Sequence, residues 1–310
     1  MLSSMKTESP APAQASTSTR TLTRIAAGVN GFPEGDDAAT LAAGLAGVTG
    51  AELMLIAVHP WPVVVLPPGM DWNSLRDSAD AVLRRTSDAV APAARMVIET
   101  DQSVPRGLHR LVRQHHRDLL VLGSSRHAPA GRVRIGKRTR QLLGEFDCPL
   151  AVAPRGWHER PDPMFARIAV GYDGGREADS ALETAALIAR QAKAELQVHA
   201  VLDDRVPPTG WSPLDIRASS LLRVDLKQEA RGVLEQQTRA ATSSVEVDVE
   251  VKVHHGRPAT ALLELSHDVD LLVIGSRRWG PLTRVVLGST GEALLHDAPC
   301  PVLTVPRPHA

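Results

Sequence analysis

Asp173, Gly275, Gly288, Ser289 and Thr290 are the residues of this sequence whose types and order best suit a phosphorylated ligand. Asp173 follows the run Arg167–Tyr172, and its carboxylate could accept hydrogen bonds from a ribose or an adenine amine. Gly275 ends the apolar run Leu271–Ile274 and would let backbone come close to a ligand. Gly288-Ser289-Thr290 precedes the helical run Glu292–Leu295, where free amides and hydroxyls can hold phosphate. Each residue also has a plainer use. A glycine after a strand makes a turn, Ser289 and Thr290 can cap a helix, and Asp173 can fix a turn. Their joint occurrence, in this order, points to a nucleotide.

The elements that must position these groups occur twice. Asp118–Arg126 (DLLVLGSSR) and Asp270–Arg278 (DLLVIGSRR) lie 152 residues apart. The same shift carries Cys148-Pro149 onto Cys300-Pro301 and Gly136 onto Gly288. A shift of 143 carries Arg24–Gly31 onto Arg167–Gly174. A repeat this long is a domain rather than a solenoid unit, and the unequal shifts place insertions in loops. Two domains of roughly 140–150 residues suit a chain of 310.

Apolar runs predict strands near 24–29, 53–58, 95–99, 119–122 and 150–153 in the first copy. Those of the second copy fall near 167–172, 194–201, 245–253, 271–274 and 302–305, with helices between. In the first copy, helices are expected near 71–90, 105–116 and 137–145. Alternating strands and helices imply a parallel sheet covered on both faces. The expected division is a disordered tail over 1–20, domains over 21–155 and 166–310, and a semi-stiff proline-bearing linker over 156–165. Exposed edges invite pairing, so the last strands of the copies, Leu150–Ala153 and Val302–Val305, are expected to meet.

Lys+Arg and Asp+Glu both number 35, which removes the global electrostatic case for a nucleic-acid binder. Aromatics at 3% also weaken a base-stacking platform. The stretch Leu41–Pro68 is broken by Glu52, His59 and prolines, so a membrane span is not expected. The two cysteines, Cys148 and Cys300, read as buried apolar groups in a reducing cytoplasm. The adjacent pairs His115-His116 and His254-His255 point their rings apart on either a helix or a strand, so no chelating face is expected.

With these residues in place, the chain resembles the universal stress protein family, as a tandem two-domain member, over about 22–155 and 165–307. Family members that bind ATP carry an Asp after strand one and a G-x2-G-x9-G-[ST] pattern after strand four. The second copy matches at Asp173, Gly275, Gly288 and Ser289, with Arg278 where the middle glycine would be. By the same alignment Ala200 lies where backbone meets adenine. The first copy departs further: Asn30 replaces the Asp, Gly123 and Gly136 keep their interval, Arg126 replaces the middle glycine, and Lys137 replaces the Ser/Thr.

The resemblance implies two Rossmann-like domains, each a five-stranded parallel sheet of order 3-2-1-4-5 with helices on both faces. It also implies joining through the fifth strands, as a pseudo-dimer within the chain, with a homodimer as a further option. The function implied is regulatory binding of ATP, ADP or another adenine nucleotide, with or without magnesium, in a stress response. Any hydrolysis would be slow, and an unknown protein would be the partner. Nucleotide is expected chiefly in the second copy.

The first copy's loop is basic, with Arg126, Arg132, Arg134, Lys137, Arg138 and Arg140, and reads equally as an anion site or a solvated surface. Gly136-Lys137 is not a Walker A motif. Two rival readings remain. One is a nucleotide-independent interaction module. The other is an adenylate-transferring enzyme, suggested by Gly174-Gly175 before Asp179-Ser180 at the wrong spacing for SGGxDS. Trp211 and Trp279 could cover a pocket or be structural.

Overall fold

The computed structural model describes residues 22–60, 72–137, 139–140, 148–160, 165–203, 220–243, 245, 247–276 and 287–306. The first half comprises β1 (Arg24–Gly28), α1 (Pro33–Thr49), β2 (Glu52–Pro60), α2 (Trp72–Val90), β3 (Arg95–Asp101), α3 (Val104–Gln114), β4 (Leu119–Gly123) and β5 (Leu150–Ala153). A 3-10 turn at Trp157–Glu159 leads to the second half. That half comprises β6 (Arg167–Tyr172), α4 (Arg176–Ala192), β7 (Glu195–Leu202), α5 (Ser220–Thr242), β8 (Val249–His255), α6 (Pro258–Leu265), β9 (Leu271–Gly275), α7 (Ser289–Asp297) and β10 (Val302–Val305).

Local sequence accounts for the ends of the main helices. Pro33 opens α1, with Glu34 and Asp36 favourably placed against the positive end of its dipole, and Gly50 closes it at φ 66°. The inner strands are apolar on both sides because both sides are covered, whereas the edge strands β3 and β8 carry charged residues and are partly exposed. Ile25, Ala27 and Leu55 pack with Leu41 and Leu45 of α1, Leu83 of α2 and Leu182 of α4. Ala26, Met54 and Ile56 pack on the other face with Leu108 and Leu111 of α3, Leu262 of α6 and Leu294 of α7. Each of these cores runs through both halves.

The ten strands form one sheet of order β3-β2-β1-β4-β5-β10-β9-β6-β7-β8. Each half therefore has the order 3-2-1-4-5 and is parallel throughout. The halves meet where β5 and β10 pair antiparallel, Val152 opposite Val302 and Ala151 opposite Leu303. All four side chains are buried, so two edges that would invite aggregation are removed. The third strand of the second half starts at Val249 rather than near 245. The amide of Val245 instead bonds the Thr242 carbonyl, in the turn that closes α5. Most of the helix expected near 137–145 lies outside the described residues.

One further contact fixes the halves to each other, and another fixes the linker to the first half. Residues 131–135 of the loop after β4 cross the seam: the amides of Val133 and Ile135 bond the carbonyls of Ala298 and Leu295 at 2.7 and 3.0 Å. The loop thereby satisfies carbonyls at the end of α7 that the helix itself leaves open. The second contact is Asp37 of α1, which has no exposed surface. Its carboxylate accepts the amides of Gly156 and His158, both at 2.9 Å, and lies 2.5 Å from His158 Nδ1. Beside it, Trp157 is buried with the Arg160 guanidinium stacked 4.4 Å above its ring.

Candidate functional site

In an open parallel sheet, a crevice forms beyond the carboxyl ends of the strands where strand order reverses. Here that point is β1, whose neighbours are β2 and β4. A cleft of about 840 Å³ lies there in the first half. Gly28–Asn30 after β1, Ile56–His59 of β2 and Gly123–His127 after β4 line it, and Gly136, Lys137 and Thr139 close one side. Its floor is apolar, with Val58, Val82, Leu108 and Leu122, and its rim is polar.

All five first-half residues singled out by sequence line this cleft. Asn30 is held by its own turn: its Oδ1 accepts the Phe32 amide at 3.1 Å, and its Nδ2 donates to Glu34 Oε1 at 3.4 Å. Gly123 has a structural cause. A Cβ there would overlap the carbonyl oxygen of Glu34, because the start of α1 lies directly on the end of β4. Gly136 has no such cause. Its Cβ would meet only Ser125, at an ordinary 3.8 Å, and its φ is not positive. Arg126 and Lys137 are exposed on the rim. Arg126 Nε donates to His127 Nε2 at 3.2 Å.

Much of the rest of the basic loop is committed to the protein. Arg132 donates to the Asp297 carbonyl at 2.9 Å, Arg134 to the His127 carbonyl at 3.4 Å, and Arg140 faces Glu292 at 3.5 Å. Arg138 lies outside the described residues. The loop is thus divided: its middle docks on the protein, and Arg126 and Lys137 at its two ends face the cleft.

The second half repeats the framework. Asp173 follows β6 and accepts the Gly175 amide at 2.9 Å through Oδ1; among the described residues Oδ2 takes no hydrogen bond. Ala200 is fully buried in β7, opposite Tyr172 of β6. Gly275 ends β9, and a Cβ there would lie 2.7 Å from the backbone of Glu177, so α4 needs this glycine as α1 needs Gly123. Gly288 caps α7 with its carbonyl, which accepts the Glu292 amide at 2.9 Å. Ser289 and Thr290 form the first turn of α7. The Cβ position of Gly291 lies 3.4 Å from Ile274, which sets this turn over the end of β9. Arg278, Trp211 and Trp279 lie outside the described residues.

The sequence reading missed Phe32, 60% exposed at the cleft's mouth, and the two histidines His59 and His127 on its lining. The position of His59 ending an apolar strand beside the switch point was an available signal. Asp179 accepts the Tyr172 hydroxyl at 2.7 Å, and Ser180 is buried in α4, so the pair has a structural role. His254 pairs with His199 across β7 and β8, Nε2 to Nδ1 at 2.8 Å, with the rings stacked. Among the described residues no group of three or more His, Cys, Asp or Glu could hold a metal. None of the described helices is long and apolar enough to cross a membrane.

Burial, followed by His254 and Lys252, holds His199 neutral, down to about 4. The unfolded chain would take up this proton near pH 6.5. Stability is therefore expected to be level above pH 6.5 and to fall as the pH drops towards 4, by on the order of 2–3 kcal/mol. Urea unfolding at a series of pH values checks this. The fall should shrink in His199→Gln, and an unchanged fall would contradict the assignment.

A doubly wound sheet with a cleft at its switch point defines a Rossmann-like α/β protein. The profile of the Universal stress protein family matches residues 21–154 and 164–306, and the chain belongs to that family. A universal stress protein of Mycobacterium tuberculosis is 28% identical over 294 residues, covering 90% of this chain and 95% of that one. A second from the same organism is 34% identical over 145 residues, covering 45% of this chain and 48% of the other. The crystal structure of a universal stress protein from Archaeoglobus fulgidus superposes with a TM-score of 0.66 at 17% identity, over 92% of this chain and 98% of that one. This last likeness concerns the fold.

Proposed function

We propose that the protein is a cytoplasmic regulatory protein of a stress response that binds ATP or ADP at the carboxyl ends of its strands. The observation that carries this reading is the first-half cleft. Its volume of about 840 Å³ falls in the size range of small-molecule sites, roughly 300–1,000 Å³. An apolar floor suits a purine and a polar, cationic rim suits phosphates. The nucleotide is a binding partner here, with any hydrolysis slow.

Of the two halves, the second binds more tightly in this proposal. Asp173 Oδ2 takes no hydrogen bond among the described residues and could accept one from ribose or amine, whereas Asn30 has both ends engaged within its turn. Gly275 frames the second site, and Gly288, Ser289 and Thr290 offer amides and hydroxyls at the start of α7. Ala200 and Arg278 complete the proposed lining.

Calorimetric titration of ATP into the full chain tests the proposal. Asp173→Ala should lose about 10- to 150-fold in the tighter affinity, the worth of a hydrogen bond to a charged group. Asn30→Ala should affect the weaker phase. Equal losses in the tighter phase would refute the asymmetry. No heat near millimolar ATP would favour a nucleotide-independent interaction module.

A further inference from the structure

We propose that the first-half cleft holds a nucleotide's polyphosphate directly on Lys137 and Arg126, without a divalent metal. This rests on the reading that the cleft takes an adenine nucleotide. The two halves would then share a fold and differ in how they neutralise phosphate.

Four observations converge. Lys137 and Arg126 stand on the rim from opposite ends of the loop after β4, and both are exposed. Neither has a carboxylate partner among the described residues, while Arg132, Arg134 and Arg140 of the same loop are engaged elsewhere. Gly136, beside Lys137, lines the cleft, and a Cβ there would meet only the Ser125 side chain at an ordinary 3.8 Å, so a phosphate could reach its backbone. Among the described lining residues Glu34 is the one carboxylate, and it accepts from the Asn30 amide; Ser125 and Thr139 also line the cleft, so it is the ammonium of Lys137 rather than a lack of hydroxyls that sets this half apart.

The chemistry follows from what each group can donate. Magnesium at a nucleotide site is held by carboxylates or hydroxyls together with the phosphates. The second half offers the Ser289 hydroxyl at the position where the first offers Lys137. An ammonium cannot ligate magnesium and repels it. It can supply the same positive charge to the phosphates itself, and a guanidinium adds paired donors. Replacing a hydroxyl by an ammonium at this position therefore exchanges a bound metal for a fixed cation.

The test uses the full chain with Asp173→Ala and Gly288→Val to silence the second half, titrated with ATP, ADP and AMP in EDTA and in magnesium. Binding in EDTA should persist, strongest for ATP. Lys137→Ala should weaken ATP about 10- to 150-fold and AMP by less, and Lys137→Arg should restore most of it. Lys137→Ser, the second half's residue, should make binding depend on magnesium. As a measurement independent of the silencing substitutions, the unmodified chain should keep one of its two sites in EDTA. Loss of first-half binding in EDTA, or ATP affinity unmoved by Lys137→Ala, would overturn the proposal while leaving nucleotide binding intact. Absence of binding by any adenine nucleotide, with magnesium and without, would overturn the nucleotide reading itself.

Discussion

Gly123→Ala is expected to destabilise the protein by at least about 3 kcal/mol, and Gly123→Val to prevent folding. The added Cβ would occupy the place of the Glu34 carbonyl oxygen. That atom belongs to the backbone of α1, so no side-chain rotation relieves the overlap. The helix would have to lift from β4, and Leu41 and Leu45 would leave the core with it. Fully burying one such side chain contributes about 1.5–3 kcal/mol. Gly136→Ala is the control, because a Cβ there meets nothing closer than 3.8 Å. Its stability should stay within about 0.5 kcal/mol of the unmodified chain, and its effect should fall on ligand binding. Chemical denaturation of both variants checks the pair. Equal stability losses would show that the two glycines serve the same purpose.

Asp37→Ala should cost about 3–5 kcal/mol, the range for removing one partner from a buried charged network. The carboxylate has no exposed surface and holds two linker amides and the His158 ring. Without it, those part-buried amides lose their acceptor, at a cost of up to about 1–3 kcal/mol each. The linker should loosen as well as the fold. Hydrogen exchange at Gly156 and His158 should therefore rise more than at the centre of β1. Unchanged protection at these two amides would contradict the role given to Asp37.

The sheet was legible in the sequence because its inner strands are apolar runs covered on both sides, and because the run order is repeated. Strand ends at Arg24, Leu119, Leu150 and Arg167 follow from that pattern alone. The meeting of β5 and β10 was legible as well, since an apolar edge strand must find a partner. The start of β8 was not. Val245 and Val247 look like strand residues, but the amide of Val245 closes a helix.

The site was legible by residue and much less so by cause. Gly123 and Gly275 stand out in the sequence, which reads Gly275 as a place where backbone comes close to a ligand; in the structure both glycines lie against backbone. The sequence does not say that the approaching backbone is the protein's own helix. Asp37 resembles any solvated helical acid until the linker folds over it. The pairing of His199 with His254 depends on the register of β7 against β8, with His199 opposite Lys252, which no single strand reveals. The basic loop could not be divided into docking and cleft-facing parts until its carbonyl partners across the seam were seen.

The central claim is that adenine nucleotide binds beyond the carboxyl ends of the strands, and difference density from a crystal soaked in millimolar ATP tests it most directly. The account expects the purine over Val58 and Leu108 in the first half, with phosphates beside Gly136 and Lys137, and a second nucleotide with phosphates at Gly288–Thr290. Density confined to another surface, or none in either half, would contradict it.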